Sequence, residues 1–298
     1  MRSIARHETE YLYADSMISG LDHIIVLTAD LDAAVSAYTA VLGRQPAWRG
    51  QEGEARHAWF QLANIAIDVV CPGAQPRAMR RRVDEEGGGV YGLGFATPDL
   101  AETHRALGRR GVTLYDPADT VSTAADGATR HWSIAVMSTK TTAGVQLFLV
   151  QNDGTPRVLS AAVADEASAV SELDHVVVNS VNADRAVAIY GGRLGLDLRL
   201  DRSNADWGVR QLFFRCGTAM VEFGVSLKAP VTDAPDRLGG LAWRVNDADA
   251  ARARIAAAGF DVSEVRKGRK PGTRVFTLRS GLPGAPSLFI QQNAEPLA

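Results

Sequence analysis

The sequence lacks the features of membrane-spanning, secreted and disulfide-bonded proteins. Only two of the 298 residues are cysteine, Cys71 and Cys216, too few for a disulfide framework. No apolar run is as long as the about 18 residues that a transmembrane helix needs. Residues 1–20 do not contain the apolar stretch that is typical of a secretory signal. The net charge of −2 argues against a nucleic-acid or membrane-surface partner. We therefore expect a cytoplasmic protein that contacts neither nucleic acid nor membrane.

The feature that stands out is an internal repeat. The stretch LDHIIV begins at Leu21, and LDHVVV begins at Leu173, 152 positions later. Each reads as a strand and is followed by apolar residues at helical spacing, with Tyr38 matched by Tyr190 at the same offset. In the first copy Asp30 and Gly43 suit the start and the end of the helix. A constant offset over a strand and a helix indicates a duplicated structural unit.

The correspondence continues to the end of the chain with small changes of offset. The matched segments are residues 60–70 with 214–224, 93–112 with 241–260, 129–134 with 273–278, and 147–152 with 288–293. Each half therefore reads as strand–helix–strands twice over, which gives four βαβββ units. We predict an N-terminal arm at 1–20, a first domain at 21–152, a linker at 153–172 and a second domain at 173–293.

This pattern resembles the vicinal oxygen chelate superfamily, which contains glyoxalase I, type I extradiol dioxygenases and bleomycin-binding proteins. The resemblance rests on the LDH strands, the tyrosine-containing helices and an acidic residue late in the first unit of each half, and it covers nearly the whole chain. It implies an α+β fold of tandem glyoxalase-like domains, with four βαβββ units forming two curved mixed sheets around pockets.

The resemblance also implies a chemistry. It predicts an enzyme of lyase, isomerase or ring-cleavage dioxygenase type, acting on a small molecule with adjacent oxygens. The cofactor would be a divalent metal, Fe, Mn, Ni or Zn, held by imidazole and carboxylate ligands. A homodimer is a further expectation that nothing in the sequence tests.

The positions where the family carries metal ligands are only half retained. The first unit of each domain keeps a pair: His23 with Asp68, and His175 with Glu222. In the second units, the corresponding positions are occupied by side chains that cannot bind a metal: Gly92, Gly240, Phe148 and Phe289. A buried acid needs a partner, and the first-strand histidine is the expected one. The metal site is thus predicted to be non-standard, or the metal absent.

Four further residues in the first domain are candidates. His57 and His131 lie on strands next to those that carry Asp68 and Phe148, so both could complete a site with His23. Arg56 and Arg130 could bind an acidic substrate group. The histidine count favours the first domain as the active one.

Two readings stay open. In the first, His23, His57, Asp68 and His131 form an acid–base or metal site, with His175 and Glu222 as a second pair. In the second, the protein is a metal-free binding protein of the bleomycin-resistance type, and Phe148 and Phe289 line an apolar pocket.

Overall fold

The computed structural model describes residues 17–153, 163, 165–282, 284 and 286–292. Most of the predicted arm, at 1–16, and most of the predicted linker, at 154–162, lie outside the described residues. So does the end of the second predicted domain, residue 293.

The described chain contains four βαβββ units, as predicted. The first is β1 (Gly20–Leu27), α1 (Leu31–Leu42), β2 (Trp48–Glu52), β3 (Ala55–Gln61) and β4 (Ala66–Cys71). An extra helix, α2 (Arg77–Glu86), precedes the second unit: β5 (Gly89–Ala96), α3 (Leu100–Arg109), β6 (Ala118–Thr123), β7 (Thr129–Val136) and β8 (Gln146–Asn152).

The second half repeats this order without a helix in the place of α2. Its first unit is β9 (Val170–Ser180), α4 (Ala183–Ala186) running into a π-helical segment (Val187–Arg193), β10 (Asp197–Asn204), β11 (Val209–Cys216) and β12 (Ala219–Ser226). Its second is β13 (Arg237–Val245), α5 (Ala248–Ala257), β14 (Arg266–Lys267), β15 (Thr273–Leu278) and β16 (Ser287–Gln292).

Helix α1 forms as its sequence predicts. Asp30 caps its start by accepting a hydrogen bond from the backbone N–H of Ala33 at 3.0 Å, and Gly43 ends it at φ 71°, a conformation that favours glycine. The apolar positions of the predicted helical face are all buried: Leu31, Ala34, Val35, Tyr38, Val41 and Leu42. This face packs on the outer side of the first sheet.

The two sheets have the same strand order but different closure. The first runs β1-β4-β3-β2-β6-β7-β8-β5 and closes into a barrel, with β2 and β6 paired only at Gln51 and Thr123. The second runs β10-β11-β12-β9-β13-β16-β15-β14 as an eight-stranded sheet, and no pair joins its two edge strands among the described residues. The second sheet thus has free edges, whereas the first encloses its interior.

Strand alternation separates two faces on each sheet. On β1, Ile24 and Val26 belong to the main core under the helices, whereas Ile25 and Leu27 belong to a separate cluster inside the barrel. Helix α2 contributes Val83 to that inner cluster. The main core includes residues of both halves, so the two sheets share one continuous apolar interior. No helix in the described ranges is long and apolar enough to cross a membrane.

Candidate functional site

The aspartate of each LDH stretch holds the histidine that follows it. Asp22 accepts from the Nδ1–H of His23 at 2.8 Å, and Asp174 accepts from the Nδ1–H of His175 at 2.8 Å. Neighbouring strand residues normally point to opposite faces. Here the pairing skips Asp22 on β1 and Asp174 on β9, and these bulges bring each aspartate beside its histidine. Nε2 is then the ring nitrogen that remains for a further partner.

Inside the first barrel, His57 is the centre of a hydrogen-bonded group. Its Nδ1 lies 2.8 Å from the Oδ1 of Asp68, and its Nε2 lies 2.6 Å from the Oγ of Ser122. The indole N–H of Trp48 donates to the same Ser122 oxygen at 2.9 Å. The order Ser–His–Asp matches that of a hydrolase triad. Ser122 is 0% exposed, however, so the arrangement gives a substrate no access to the hydroxyl.

Arg130 also enters this barrel. Its guanidinium carbon lies 4.7 Å from the ring centre of Trp59 and 5.7 Å from that of Trp48, within cation–π range. Burial lowers the pKa of His57, but the charge and hydrogen bond of Asp68, helped by Glu52, outweigh burial and raise it overall. The sequence offered no signal for Ser122, because β6 comes close to His57 on β3 only when the barrel closes through the β2–β6 pair. Trp48 lies on β2, which pairs directly with β3, but nothing in the sequence showed that its indole would reach Ser122.

The second sheet carries a group equivalent to the one around His57. It lies on the face that we call the open face, which is defined by His175, Val177, Phe213 and Glu222. Glu222 accepts from the Nε2–H of His175 at 3.1 Å with one oxygen and from Gln211 at 2.8 Å with the other. Gln211 occupies the place of His57, since each lies two residues before the strand partner of the acid, Phe213 or Trp59.

The expected His23–Asp68 pair is not formed, whereas the His175–Glu222 pair is. In the first barrel Asp68 bonds to His57, and the hydrogen bond of His23 goes to Asp22. The difference arises because glutamate is longer than aspartate by one methylene. Glu222 reaches both Gln211 on β11 and His175 on β9, whereas Asp68 reaches His57 alone of the two corresponding partners. The two side chains of the formed pair are 12% and 13% exposed, compared with 3% for His57 and 5% for His23.

The surroundings make the second pair an ion pair at neutral pH. Burial lowers the pKa of His175, but hydrogen bonds and charges from Asp174 and Glu222 outweigh it and raise the pKa to about 9. Burial raises the pKa of Asp174, but His175 and Arg244 more than reverse this and lower it to about 2. The pKa of Glu222 is also lowered on balance, because His175 and Gln211 outweigh burial.

A pH dependence of stability follows from these shifts. Since the pKa of His175 rises from 6.5 to about 9 on folding, its contribution is complete below pH 6.5 and is lost as pH rises through 9. The carboxylates contribute above their ordinary pKa values and lose this contribution in acid. We expect the difference in unfolding free energy between wild type and His175→Gln to shrink by on the order of 3 kcal/mol between pH 6 and pH 10. Urea unfolding across this range measures it, and a constant difference would contradict the assignment.

Two expected site residues lie outside the barrel interior. Because Arg130 and Trp132 face inward on β7, His131 between them faces outward, is exposed and bonds to Thr129 at 3.1 Å. Arg56 precedes the inward His57 on β3 and is likewise exposed. The structure therefore corrects both expectations: neither side chain joins His23, His57 and Asp68.

Phe289 is also placed differently from the prediction. It is 0% exposed in the main core and stacks on Phe276 with ring centres 4.6 Å apart. The prediction aligned it with Phe148, but the strand pairing places Phe148 opposite Gly94 and Leu288 opposite Ala242. The matched segments slip by one residue here, and a one-residue slip exchanges the two faces of a strand.

Two glutamines that accept the same kind of hydrogen bond on β8 and β16 support the corrected alignment. Gln151 on β8 accepts from the first backbone N–H of α3 at 2.6 Å, and Gln291 on β16 accepts from that of α5 at 3.0 Å. Phe148 remains inside the first barrel, 4% exposed, where it contacts Tyr91 at a ring distance of 6.4 Å.

The donor set does not fit a standard metal centre of this fold. The strand positions facing the histidines across the sheet are Gly94 and Ala242, and the next strand supplies Phe148 and Leu288. None of these side chains can ligate. Within the part of the chain that the structure describes, no three histidine, cysteine, aspartate or glutamate side chains are arranged to hold an ion. His175 and Glu222 alone would supply two of the three protein ligands that catalytic sites use.

The described cavities do not coincide with either histidine pair. One of about 260 Å³ lies between the two halves and is lined by Arg44 and Arg254. Another of about 270 Å³ lies beside residues 278–286. The side chains of His175 and Glu222 on the open face of the second sheet are partly accessible, at 12% and 13% exposure.

Two family models match this sequence. One, described as a glyoxalase-like domain, matches residues 21–194, and the other, described as the glyoxalase/bleomycin resistance protein/dioxygenase superfamily, matches residues 174–277. A search of curated proteins found no match.

Solved structures of the same architecture align over nearly the whole chain. A mutant of 4-hydroxymandelate synthase from Streptomyces coelicolor aligns with a TM-score of 0.67 at 15% identity, covering 94% of each chain. The 2,3-dioxygenase LapB from Pseudomonas sp. KL28 aligns with a TM-score of 0.65 at 14% identity, covering 95% of each chain.

A third structure, the Mn(II)-bound glyoxalase from Novosphingobium aromaticivorans, aligns with a TM-score of 0.64 at 14% identity and covers 94% of this chain and 84% of its own. At these identities the likeness shows the fold and not the reaction. Together with a family model that matches more than half of the sequence, it establishes that this chain belongs to the vicinal oxygen chelate superfamily, as a tandem glyoxalase-like protein.

Proposed function

We propose that the protein is a small-molecule enzyme of lyase or isomerase type whose reacting groups are His175 and Glu222 on the open face of the second sheet. The observation that carries this proposal is the 3.1 Å contact between the Nε2 of His175 and the carboxylate of Glu222, with Nδ1 already held by Asp174. The sequence favoured the first domain, but the enclosure of His57 and Ser122 supports the second.

The opposite charges of His175 and Glu222 suit the removal of a proton from a carbon next to a carbonyl group. A protonated His175 carries a positive charge that can stabilise an oxygen becoming negative, and its Nε2–H, which donates to Glu222 in this structure, would have to transfer to the substrate oxygen. Glu222, an ionised carboxylate, can accept a proton from carbon. A substrate with a carbonyl and an adjacent C–H bearing a second oxygen would place its carbonyl on His175 and its C–H on Glu222.

This chemistry distinguishes among the reaction types implied by the family. Isomerase and lyase reactions that begin with loss of a proton next to a carbonyl need one base and one oxyanion partner, and the pair provides both. Ring cleavage by dioxygen requires an iron-type centre with open positions, and the described residues supply two ligands towards it.

Solvent exchange tests the proposal without knowledge of the product. A panel of 2-hydroxyketones and 2-oxoacids is incubated with the protein in D₂O, and loss of the proton next to the carbonyl is followed by NMR. We expect faster exchange for at least one member than in buffer alone. Exchange that is no faster with protein for any compound would count against an acid–base enzyme.

Metal content provides an independent prediction. Protein purified without an affinity tag or chelator should contain well below one equivalent of Fe, Mn, Ni or Zn by elemental analysis, because two ligands hold a divalent ion weakly. The same measurement on His175→Ala is the control. One equivalent that disappears in the variant would show a metal site at this pair and would return oxygenase chemistry to consideration.

A second candidate function is ligand binding without turnover. The observation that favours it is the apolar border of the pair, where Phe213 packs edge-on against His175 at 5.9 Å and Ala242 and Leu288 occupy the positions of ligands. Saturable binding of a panel compound in the absence of proton exchange would support this candidate over the enzyme.

A further inference from the structure

A side-chain contact connects the two edges of the second sheet. Arg269, in the turn between β14 and β15, lies with its guanidinium carbon 4.2 Å from the ring centre of Trp207, in the turn between β10 and β11. β10 and β14 are the edge strands, and no backbone pair joins them among the described residues. The cation–π contact between these turns therefore reaches from one edge of the sheet to the other.

A second arginine approaches the same indole ring. The guanidinium carbon of Arg202, on β10, lies 5.8 Å from the ring centre of Trp207. Arg202 is the strand partner of Gln211, and directly paired residues share a face, so Arg202 lies on the open face. It donates to Gln211 at 3.2 Å, and Gln211 donates to Glu222 at 2.8 Å. A single side chain thus separates Arg202 from the carboxylate of the proposed site.

Both guanidinium groups carry a positive charge that no acid neutralises in the part of the chain that the structure describes. Both side chains are exposed and neither forms a salt bridge there, and Asp206, in the same turn as Trp207, pairs with neither. Burial raises the pKa of Glu222, but His175 and Gln211, together with the charge of Arg269, lower it overall. The arginines therefore present accessible donors close to the histidine–glutamate pair.

Gly224 leaves a gap in the open face between these groups. It lies between Gln211 and Asn179 in one row across β11, β12 and β9, two residues after Glu222 and on the same face. Outside its chain neighbours, the one described atom within 4 Å of a Cβ placed there would be the Oδ1 of Asn179, at 3.9 Å. A small group can therefore lie against the backbone at Gly224.

We propose that the substrate of His175 and Glu222 carries an oxyanion, a carboxylate or a phosphate, which Arg202 and Arg269 bind above Gly224. The inference rests on the proposed function, because it places the substrate carbonyl at His175. Guanidinium groups suit both kinds of oxyanion. Two positive charges beside one ring repel each other, and an oxyanion between them is attracted to both. They would also offset its repulsion from Glu222.

Calorimetric titration at constant ionic strength tests the proposal with three ketones of the same carbon skeleton. Hydroxypyruvate carries a carboxylate, dihydroxyacetone phosphate carries a phosphate, and dihydroxyacetone is neutral. We expect at least one of the two anions to bind at one site per chain, at least about tenfold more tightly than dihydroxyacetone. The anion that saturates the site identifies which oxyanion the arginines bind.

Three variants and a control locate the site. Arg269→Gln and Arg202→Gln should each weaken binding of that anion at least about tenfold and leave binding of dihydroxyacetone unchanged. Gly224→Val should also weaken binding of the anion, because its side chain fills the gap. If this variant unfolds, the two exposed arginines still decide. Arg199→Gln is the control on the same strand: Arg199 pairs with Asp197 at 3.1 Å, so the variant should bind as wild type.

Three outcomes would overturn the proposal. They are the absence of saturable binding of either anion, binding of dihydroxyacetone as tight as that of the anions, and equal binding of the anion by wild type and Arg269→Gln. Failure of the proposed enzyme appears separately, in the D₂O exchange assay. Anion binding that depends on the arginines, without proton exchange, would sustain the oxyanion site and count against the enzyme. Exchange of dihydroxyacetone as fast as that of the anions would sustain the enzyme and count against the oxyanion site.

Discussion

Replacing Glu222 with glutamine is expected to lower proton exchange on a responsive substrate by about 10²–10⁴-fold, because the amide cannot accept the proton. The substitution keeps the shape of the side chain and one acceptor oxygen for His175 or Gln211, so folding and substrate binding should persist. The rate is measured by NMR in D₂O, and binding by the substrate dependence of that rate. A fall in kcat at nearly constant KM is the expected pattern.

The matched control is Asp68→Asn, the equivalent acid of the first barrel. Asp68 is hydrogen-bonded to the enclosed His57, so its loss should lower stability and leave exchange nearly unchanged. If exchange fell in Asp68→Asn and persisted in Glu222→Gln, the reaction would belong to the first barrel, which the histidine count favoured. Glu222→Asp adds a geometric test, since a side chain shorter by one methylene should lose the contact with His175.

Phe289→Ala is expected to lower the free energy of unfolding by about 3–5 kcal/mol, the usual cost of removing a fully buried aromatic ring. The ring is 0% exposed and lies parallel to that of Phe276 at 4.6 Å, so a cavity would form in the shared core. Urea unfolding at pH 7 measures the change. Ligand binding at the open face should be unaffected, because Phe289 lies on the opposite side of β16.

Leu288→Ala is the adjacent control. Leu288 pairs with Ala242 on the open face and is only partly buried, so its truncation should cost clearly less stability and should alter ligand binding instead. The reverse pattern, with Phe289 governing binding and Leu288 governing stability, would restore the alignment of Phe289 with Phe148 and contradict the strand register.

The architecture was predictable from the sequence because its signals are local and repeated. Asp30 and Gly43 define the ends of α1 within a few residues, and the spacing of the apolar residues selects the face that is buried. The constant offset between the two LDH stretches was enough to predict the duplication. The sequence predicted that Gly92, Gly240, Phe148 and Phe289 replace the ligands of the second units, whereas the strand pairing places Gly94, Phe148, Ala242 and Leu288 at the positions facing the histidines.

The partners of the site residues depended on tertiary structure. Bulges at Asp22 and Asp174 bring each aspartate to its histidine, and strand alternation alone predicts the opposite. Closure of the first barrel brings Ser122 from β6 to His57 on β3, 65 residues away. A slip of one residue on β16 moves Phe289 into the core.

The sequence by itself thus determined the family, the duplication and the set of chemical groups available. Only the tertiary structure decided which groups meet, since this depends on register, closure and the one methylene that separates Asp68 from Glu222. Whether a hydrogen bond forms depends on shifts of less than an ångström between donor and acceptor. A sequence pattern places a side chain only to within about one residue, which is roughly 3.3 Å along a strand.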